Sequence, residues 1–157
     1  MTTETLWDFA CRVYGAPGVA AACLVLQDEA GVDVPLLLWC AWAAARGAAP
    51  DRAAITAAAA AVAPWRDATV RPLRMIRRAM KADLGADHAA AAALRERVKA
   101  SELEAERLQL LMLEARPLPP ASGRPTADAI VAALEACLGV GWQDRVRPIA
   151  AAAAAVP

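Results

Sequence analysis

The stretch Val34-Pro35-Leu36-Leu37-Leu38-Trp39-Cys40-Ala41-Trp42-Ala43-Ala44-Ala45-Arg46 carries no charge before its last residue. A helix on a protein surface keeps one polar side, and a half-buried strand alternates polar with apolar; this run does neither. Asp33 in front of it offers an N-cap, and Pro35 suits a first helical turn, so the run reads as a helix apolar all round. It is shorter than the roughly 18 residues that would suggest a membrane span. The economical reading is the central helix of an all-α core, and the flanking segments follow from it.

Upstream, Thr3 is placed to cap a helix whose apolar face is Leu6, Phe9, Ala10, Val13 and Tyr14, spaced by threes and fours. Gly15 stops it, and Pro17 suits the first turn of a second helix, 17–30, with Val19, Cys23 and Leu26 on one side and Gly31 as its stop. Downstream, Gly47 to Pro50 breaks the chain, Asp51 caps an Ala-rich fourth helix through Ala63, and Pro64-Trp65 reads as a further break. Pro72 opens or kinks a fifth helix ending near Leu84-Gly85, with Leu73, Ile76, Met80 and Leu84 expected to face inward. A sixth, long helix spans about 87–116. Its Leu94, Val98, Ser101, Ala105, Leu108 and Met112 repeat as a heptad seam, widened by the apolar patch Leu108 to Leu113, and its other faces are charged. The Pro-rich stretch 117–125 is incompatible with regular helix and reads as a stiff linker. Thr126 then caps a helix over 127–138 with Ile130, Leu134 and Cys137 aligned, and the Ala-rich end, 150–157, is expected to fray. These readings give an all-α bundle of about six helices over 3–116, the linker 117–125, an appended helix and turn over 126–149, and a disordered tail.

Composition agrees. In 157 residues, 59% are hydrophobic, largely through Ala, the strongest helix former. Aromatics are 4%, so the five Trp are the largest fillers available to the core. Acidic and basic residues balance at 17 each, which argues against nucleic acid as a partner. Met1-Thr2-Thr3-Glu4 lacks the basic and apolar regions of a signal peptide, which points to the cytoplasm and to reduced thiols at Cys11, Cys23, Cys40 and Cys137. No two are spaced as CxxC and the one histidine, His88, is remote from all four, so they read as small hydrophobes rather than metal ligands. His88 itself reads as a neutral surface residue in the first turn of the long helix.

No phosphate-binding glycine loop, HExxH or GxSxG occurs, and with one His and two Ser a nucleophile–base pair is hard to assemble. No catalytic residue, cofactor or metal site is assigned. Three groups of residues remain as candidate binding features. The acidic turn Gln27-Asp28-Glu29-Ala30-Gly31-Val32-Asp33 could meet a cation or a basic partner, although capping by Asp33 and solvation of Asp28 and Glu29 explain it as well. The basic strip Arg66, Arg71, Arg74, Arg77, Arg78 and Lys81 could face anionic groups, or could pair with the glutamates of the long helix. Trp7, Trp39 and Trp42, with Asp8 and Tyr14 nearby, could line a pocket for an apolar ligand, or could pack the core.

The order and spacing of Leu6-Trp7-Asp8-Phe9, Tyr14, Pro17-Gly18-Val19, Ala22-Cys23-Leu24, Leu26-Gln27-Asp28, Gly31, Asp33-Val34 and Leu36-Leu37-Leu38 carry a resemblance. Trp42, Trp65, Pro72-Leu73-Arg74, Arg77-Arg78, Lys81, Glu102-Leu103 and Ala105-Glu106-Arg107 continue it. Over about residues 4 to 114 the chain resembles a family of short proteobacterial proteins known as a domain of unknown function. The resemblance implies a small bacterial cytoplasmic protein and lends no activity, cofactor or site residue. The residues themselves favour a non-enzymatic adaptor that binds another protein, or a second copy, through the long helix and the basic strip. The alternative is a carrier of a small molecule or lipid in the Trp-lined pocket. An enzyme is the third reading, and it requires Asp8, Asp28 and Asp33 to meet Arg74 and Arg78 in one cleft.

Overall fold

The computed structural model describes residues 4–83 and 88–155, in eight α-helices and one π-helical turn with no strand among them. The all-α expectation holds, with more helices than the six or seven read from the sequence. Helix α1 (Leu6–Tyr14) is capped by Thr5, whose hydroxyl oxygen accepts from the Asp8 N–H at 3.1 Å. The cap expected at Thr3 lies outside the described residues. Leu6, Phe9, Ala10 and Val13 are buried as their spacing requires, while Tyr14 turns outward. Helix α2 (Val19–Ala30) starts two residues later than Pro17, because Gly18 takes a left-handed conformation at its N-cap. A side chain rarely adopts that conformation.

Helix α3 (Val34–Ala45) is the centre of the molecule, buried without interruption from Pro35 to Ala44. Helices α1, α4, α6, α7 and α8 pack around it. Helix α4 (Arg52–Trp65) is capped by Asp51, whose carboxylate accepts from the Ala54 N–H at 2.7 Å. The break expected at Pro64-Trp65 does not occur. The chain stays helical through Pro64, passes into a π turn (Arg66–Val70), and continues as α5 (Arg71–Asp83). The π turn answers Pro72: in a regular α-helix its ring would meet the Ala68 carbonyl four residues back, and a wider turn relieves that contact.

Helix α6 (Ala89–Glu114) runs back against α5, with exposed His88 at its N-cap rather than in its first turn. The 115–125 segment has no regular helix, as its prolines require, and returns to α3's end, where the Ser122 N–H donates to the Gly47 carbonyl at 2.9 Å. Helix α7 (Ala127–Leu138) is capped by Thr126 and buries Ile130 and Leu134, with Cys137 half-buried. The Ala-rich end differs from expectation. It belongs to α8 (Gln143–Ala154), which buries Val146, Ile149, Ala150 and Ala153 in the same core as α1, α2 and α3. Arg12 of α1 fixes its end by donating to the carbonyls of Ala152 at 3.0 Å and Ala155 at 3.1 Å. Helices α7 and α8 are thus walls of one core rather than an appendix. No single helix among the described residues is long and apolar enough to cross a membrane; α1 and α2 would be so only together, and they are bent 99° apart.

Candidate functional site

The long helix presents a different face to the bundle than its apolar spacing suggests. Its enclosed positions are Glu102, Ala105, Gln109, Leu110 and Leu113, with Glu106 half-buried. The series Glu102, Glu106, Gln109 and Leu113, polar but for its last member, keeps heptad spacing one residue past the expected Ser101, Ala105, Leu108 and Met112, of which Ala105 is enclosed as well. Leu94, Ser101 and Met112 are exposed. One residue is a rotation of about 100°. The rotation is stabilised by Arg74 and Arg77 of the preceding helix, which are half-buried alongside Leu73 and Met80, whereas Ile76, also expected to face inward, is exposed. Leu84 lies outside the described residues.

Arg74 Nε donates to Glu102 Oε1 at 3.0 Å and its Nη2 to Glu106 Oε1 at 2.5 Å, while Arg77 forks onto both oxygens of Glu102. Burial pushes the Glu102 carboxyl up, but Arg77 and Arg74 outweigh it and hold the group below the ordinary range. Glu106 has only Arg74, and burial leaves its carboxyl raised. Further along the seam, Gln109 is fully enclosed. Its Nε2 donates to Asp33 Oδ2 at 2.7 Å, and Arg66 approaches the same oxygen at 3.6 Å. Burial raises the Asp33 carboxyl despite these partners. Asp33 therefore stands at the α3 N-cap by backbone position, but its carboxylate is turned to Gln109 and Arg66, with no capping hydrogen bond.

The rest of the basic strip sits nearer water. Arg71 pairs with Asp67 at 2.9 Å and Arg78 with Asp28 at 2.8 Å, and both arginines are about half exposed. Lys81 is exposed on α5, and Glu29 is exposed near the end of α2.

Two cavities open on this network. The larger, about 520 Å³, lies between α1, α2 and the start of α3 on one side and α5–α6 on the other. Trp7, Tyr14, Leu24, Leu38, Leu103 and Leu110 supply its apolar walls, and Arg74, Arg77, Glu102 and Glu106 its polar side, with Lys99 also lining it. Leu24 and Leu103 stand 53% and 54% exposed on it. The smaller cavity, about 190 Å³, is polar: Gln27, Asp28, Gly31, Val32 and Asp33 face Arg71, Arg74 and Arg78. Gln27 and Arg74 line both cavities.

The three tryptophans expected to form one pocket are separated. Trp39 and Trp42 are buried in the core, 1% and 6% exposed, with the Arg46 guanidinium 4.1 Å over the Trp42 ring. Only Trp7 reaches the cavity. Asp28, Asp33, Arg74 and Arg78 do share the smaller cavity, whereas Asp8 is apart, its carboxylate bonded to Thr5. Cys11 and Cys23 line the larger one. Burial raises the Cys23 thiol to about 11 and also raises Cys11, which is exposed rather than packed inside as the sequence suggested. Thiols so shifted are poor nucleophiles at neutral pH. Among the described residues no three His, Cys, Asp or Glu side chains are grouped to hold a metal ion.

The model of a protein family of unknown function, DUF2390, matches residues 5–113 of the chain. The chain belongs to this family. The matched region holds α1 to α6 short of the last residue and therefore contains every residue that lines both cavities, while α7 and α8 lie beyond it. Neither the curated proteins nor the solved structures hold a match to this chain.

Proposed function

We propose that this protein binds, without chemically altering it, a small ligand whose apolar body occupies the 520 Å³ cavity. The observation that carries this reading is the cavity itself. Its volume lies within the roughly 300–1,000 Å³ of ligand sites, and its walls are apolar with a few polar groups converging on one side. Tyr14, Leu24 and Leu103 are left partly in water there, and covering them recovers about 25 cal/mol for each Å² removed from solvent. A catalytic reading has less support, because each arginine and carboxylate of the polar side pairs with an opposite charge and the adjacent thiols are held protonated. The cytoplasm suits such a carrier, since its thiols stay reduced there.

The test uses the purified full chain. Denaturation followed by mass spectrometry should release an apolar small molecule, or the ligand-free protein should bind a medium-chain alkyl ligand saturably. Leu24→Asp and Leu103→Asp change exposed positions that the fold tolerates, and each should weaken binding at least tenfold with little change in Tm. Equal binding by both variants and the parent, or no binding by any of them, would reject the reading.

A second reading, a macromolecular adaptor, rests on the α5–α6 hairpin. Met75 is 67% exposed there, and Ile76 and Leu94 are exposed as well, so an apolar surface outside the cavity faces solvent. Its partner would be another protein or a second copy. Repeated affinity purifications that recover no stoichiometric protein, with a monomeric mass in solution, would count against it.

A further inference from the structure

The two cavities are adjoining compartments of opposite character, and their shared wall suggests what spans them. We propose that the ligand is an anionic amphiphile: an alkyl body in the larger cavity and a carboxylate or phosphate head among Arg71, Arg74 and Arg78 in the smaller one. The inference rests on the cavity reading above and adds the chemistry of the head group.

Arg71, Arg74 and Arg78 follow one another by three and four residues, so they share a face of α5 as neighbours. Against these three guanidiniums the smaller cavity sets two carboxylates, Asp28 and Asp33. The two differ in availability. Asp33 is already satisfied from the protein side by Gln109 and Arg66, so its charge is balanced outside the arginine group. Asp28 meets Arg78 in a half-exposed pair, and Arg71 meets the exposed Asp67 in another. Pairs of that kind hold their partners by about 0–1 kcal/mol, whereas a forked guanidinium–oxyanion contact in a partly enclosed site is roughly twice as strong as a neutral hydrogen bond. Arg71 and Arg78 can thus exchange their solvent-exposed carboxylates for a bound head group at small cost. Arg74 stays in place, held by Glu102 and Glu106, and marks the boundary between head and body.

The experiment compares decanoate, decyl phosphate, 1-decanol and decylammonium, each below its micelle concentration, by calorimetric titration of the full chain. The expected result is that an anionic head binds about tenfold tighter than the alcohol, from one to two charge-assisted contacts, and that the ammonium binds weakest. Comparing decanoate with decyl phosphate identifies which anion the arginines prefer. The double variant Arg71→Gln/Arg78→Gln should bring the anion-to-alcohol ratio to near one while leaving alcohol affinity within about twofold. If all four bind equally, or the ammonium binds best, or the double variant keeps the anion preference, the head-group assignment is wrong and the cavity reading survives. If none binds, both are overturned.

Discussion

Glu102 is the most consequential single side chain in the seam, because two arginines turn away from water to meet it. Its carboxylate is 7% exposed, so Glu102→Gln leaves Arg77 with a neutral acceptor in place of its paired charge, while Arg74 keeps only Glu106. At pH 7 this should destabilise the fold by about 2–3 kcal/mol. The carboxyl is held below its ordinary value of 4.5, so its contribution is complete above that value and is lost as pH falls through the folded-state pKa. The gap between parent and variant in urea midpoints should therefore close as pH drops below about 4.5. Glu106 has the opposite sign: its raised carboxyl means that ionisation costs stability as pH rises. Glu106→Gln should accordingly be markedly milder than Glu102→Gln at pH 7. A pH-independent gap for Glu102→Gln, or equal costs for the two, would contradict the electrostatic account of the seam. At this scale the sequence named the participants but not their direction. Internal pairing of the strip with the glutamates was one of two readings it left open, and apolar spacing alone pointed to Ser101 and Leu108 instead. A buried charge is invisible to periodicity, since the partner that makes it tolerable lies 25 or more residues away.

The helices themselves were largely legible, and the exceptions have local causes. Helix α3 was fixed by its lack of any polar side, and α4 and α7 by Asp51 and Thr126. The passage from α4 to α5 was not, because a proline reads as a break whether the helix stops or widens around it. The π turn closes when the Arg71 N–H reaches the Arg66 carbonyl five residues back. Such a turn absorbs one extra residue while keeping the helices on either side in phase. The phase matters, since Trp65 before the turn donates its indole N–H to the Ala105 carbonyl of α6 and Arg74 and Arg77 after it meet Glu102 of the same helix. Deleting Ala68, which is exposed within the turn, together with Pro72→Ala to remove the ring that the wider turn accommodates, should restore a plain α-helix with the arginine register intact and shift Tm by about 3 °C or less, corresponding to roughly 1 kcal/mol. Deleting Ala60, exposed in regular α4, should throw everything after it out of phase by about 100° and lower Tm several times more. Equal losses from the two deletions would mean that the turn is not a phase-preserving insertion.

For the molecule as a whole, the question is what α7 and α8 contribute to a core whose family-matched part ends at residue 113. The Pro-rich 117–125 stretch correctly marks where helix stops, but composition says nothing about whether the chain beyond returns to the core. The Ala-rich end misled for a physical reason: a run of alanine has no long apolar side chain to advertise a buried face, yet Ala150 and Ala153 are buried because small residues let α8 approach α1 and α2 closely. Ile130, Leu134, Val146 and Ile149 are likewise enclosed, and between them α7 and α8 cover α3 and the backs of α1 and α2. A chain cut after Arg116 would leave the sides of α1, α2 and α3 that pack on α7 and α8 open to water, a loss that the remaining helices cannot repair without sliding. The truncated chain should keep helical far-UV circular dichroism but lose the near-UV signal of its tryptophans and bind a hydrophobic dye, the signature of a collapsed state without fixed packing. It should also lose the alkyl-ligand binding of the full chain although every cavity residue is present, because α1 and α2 would no longer be held against α3. If residues 1–116 instead unfold cooperatively within a few degrees of the full chain, then α7 and α8 decorate an independent six-helix domain, and the cavity owes its shape to that domain alone.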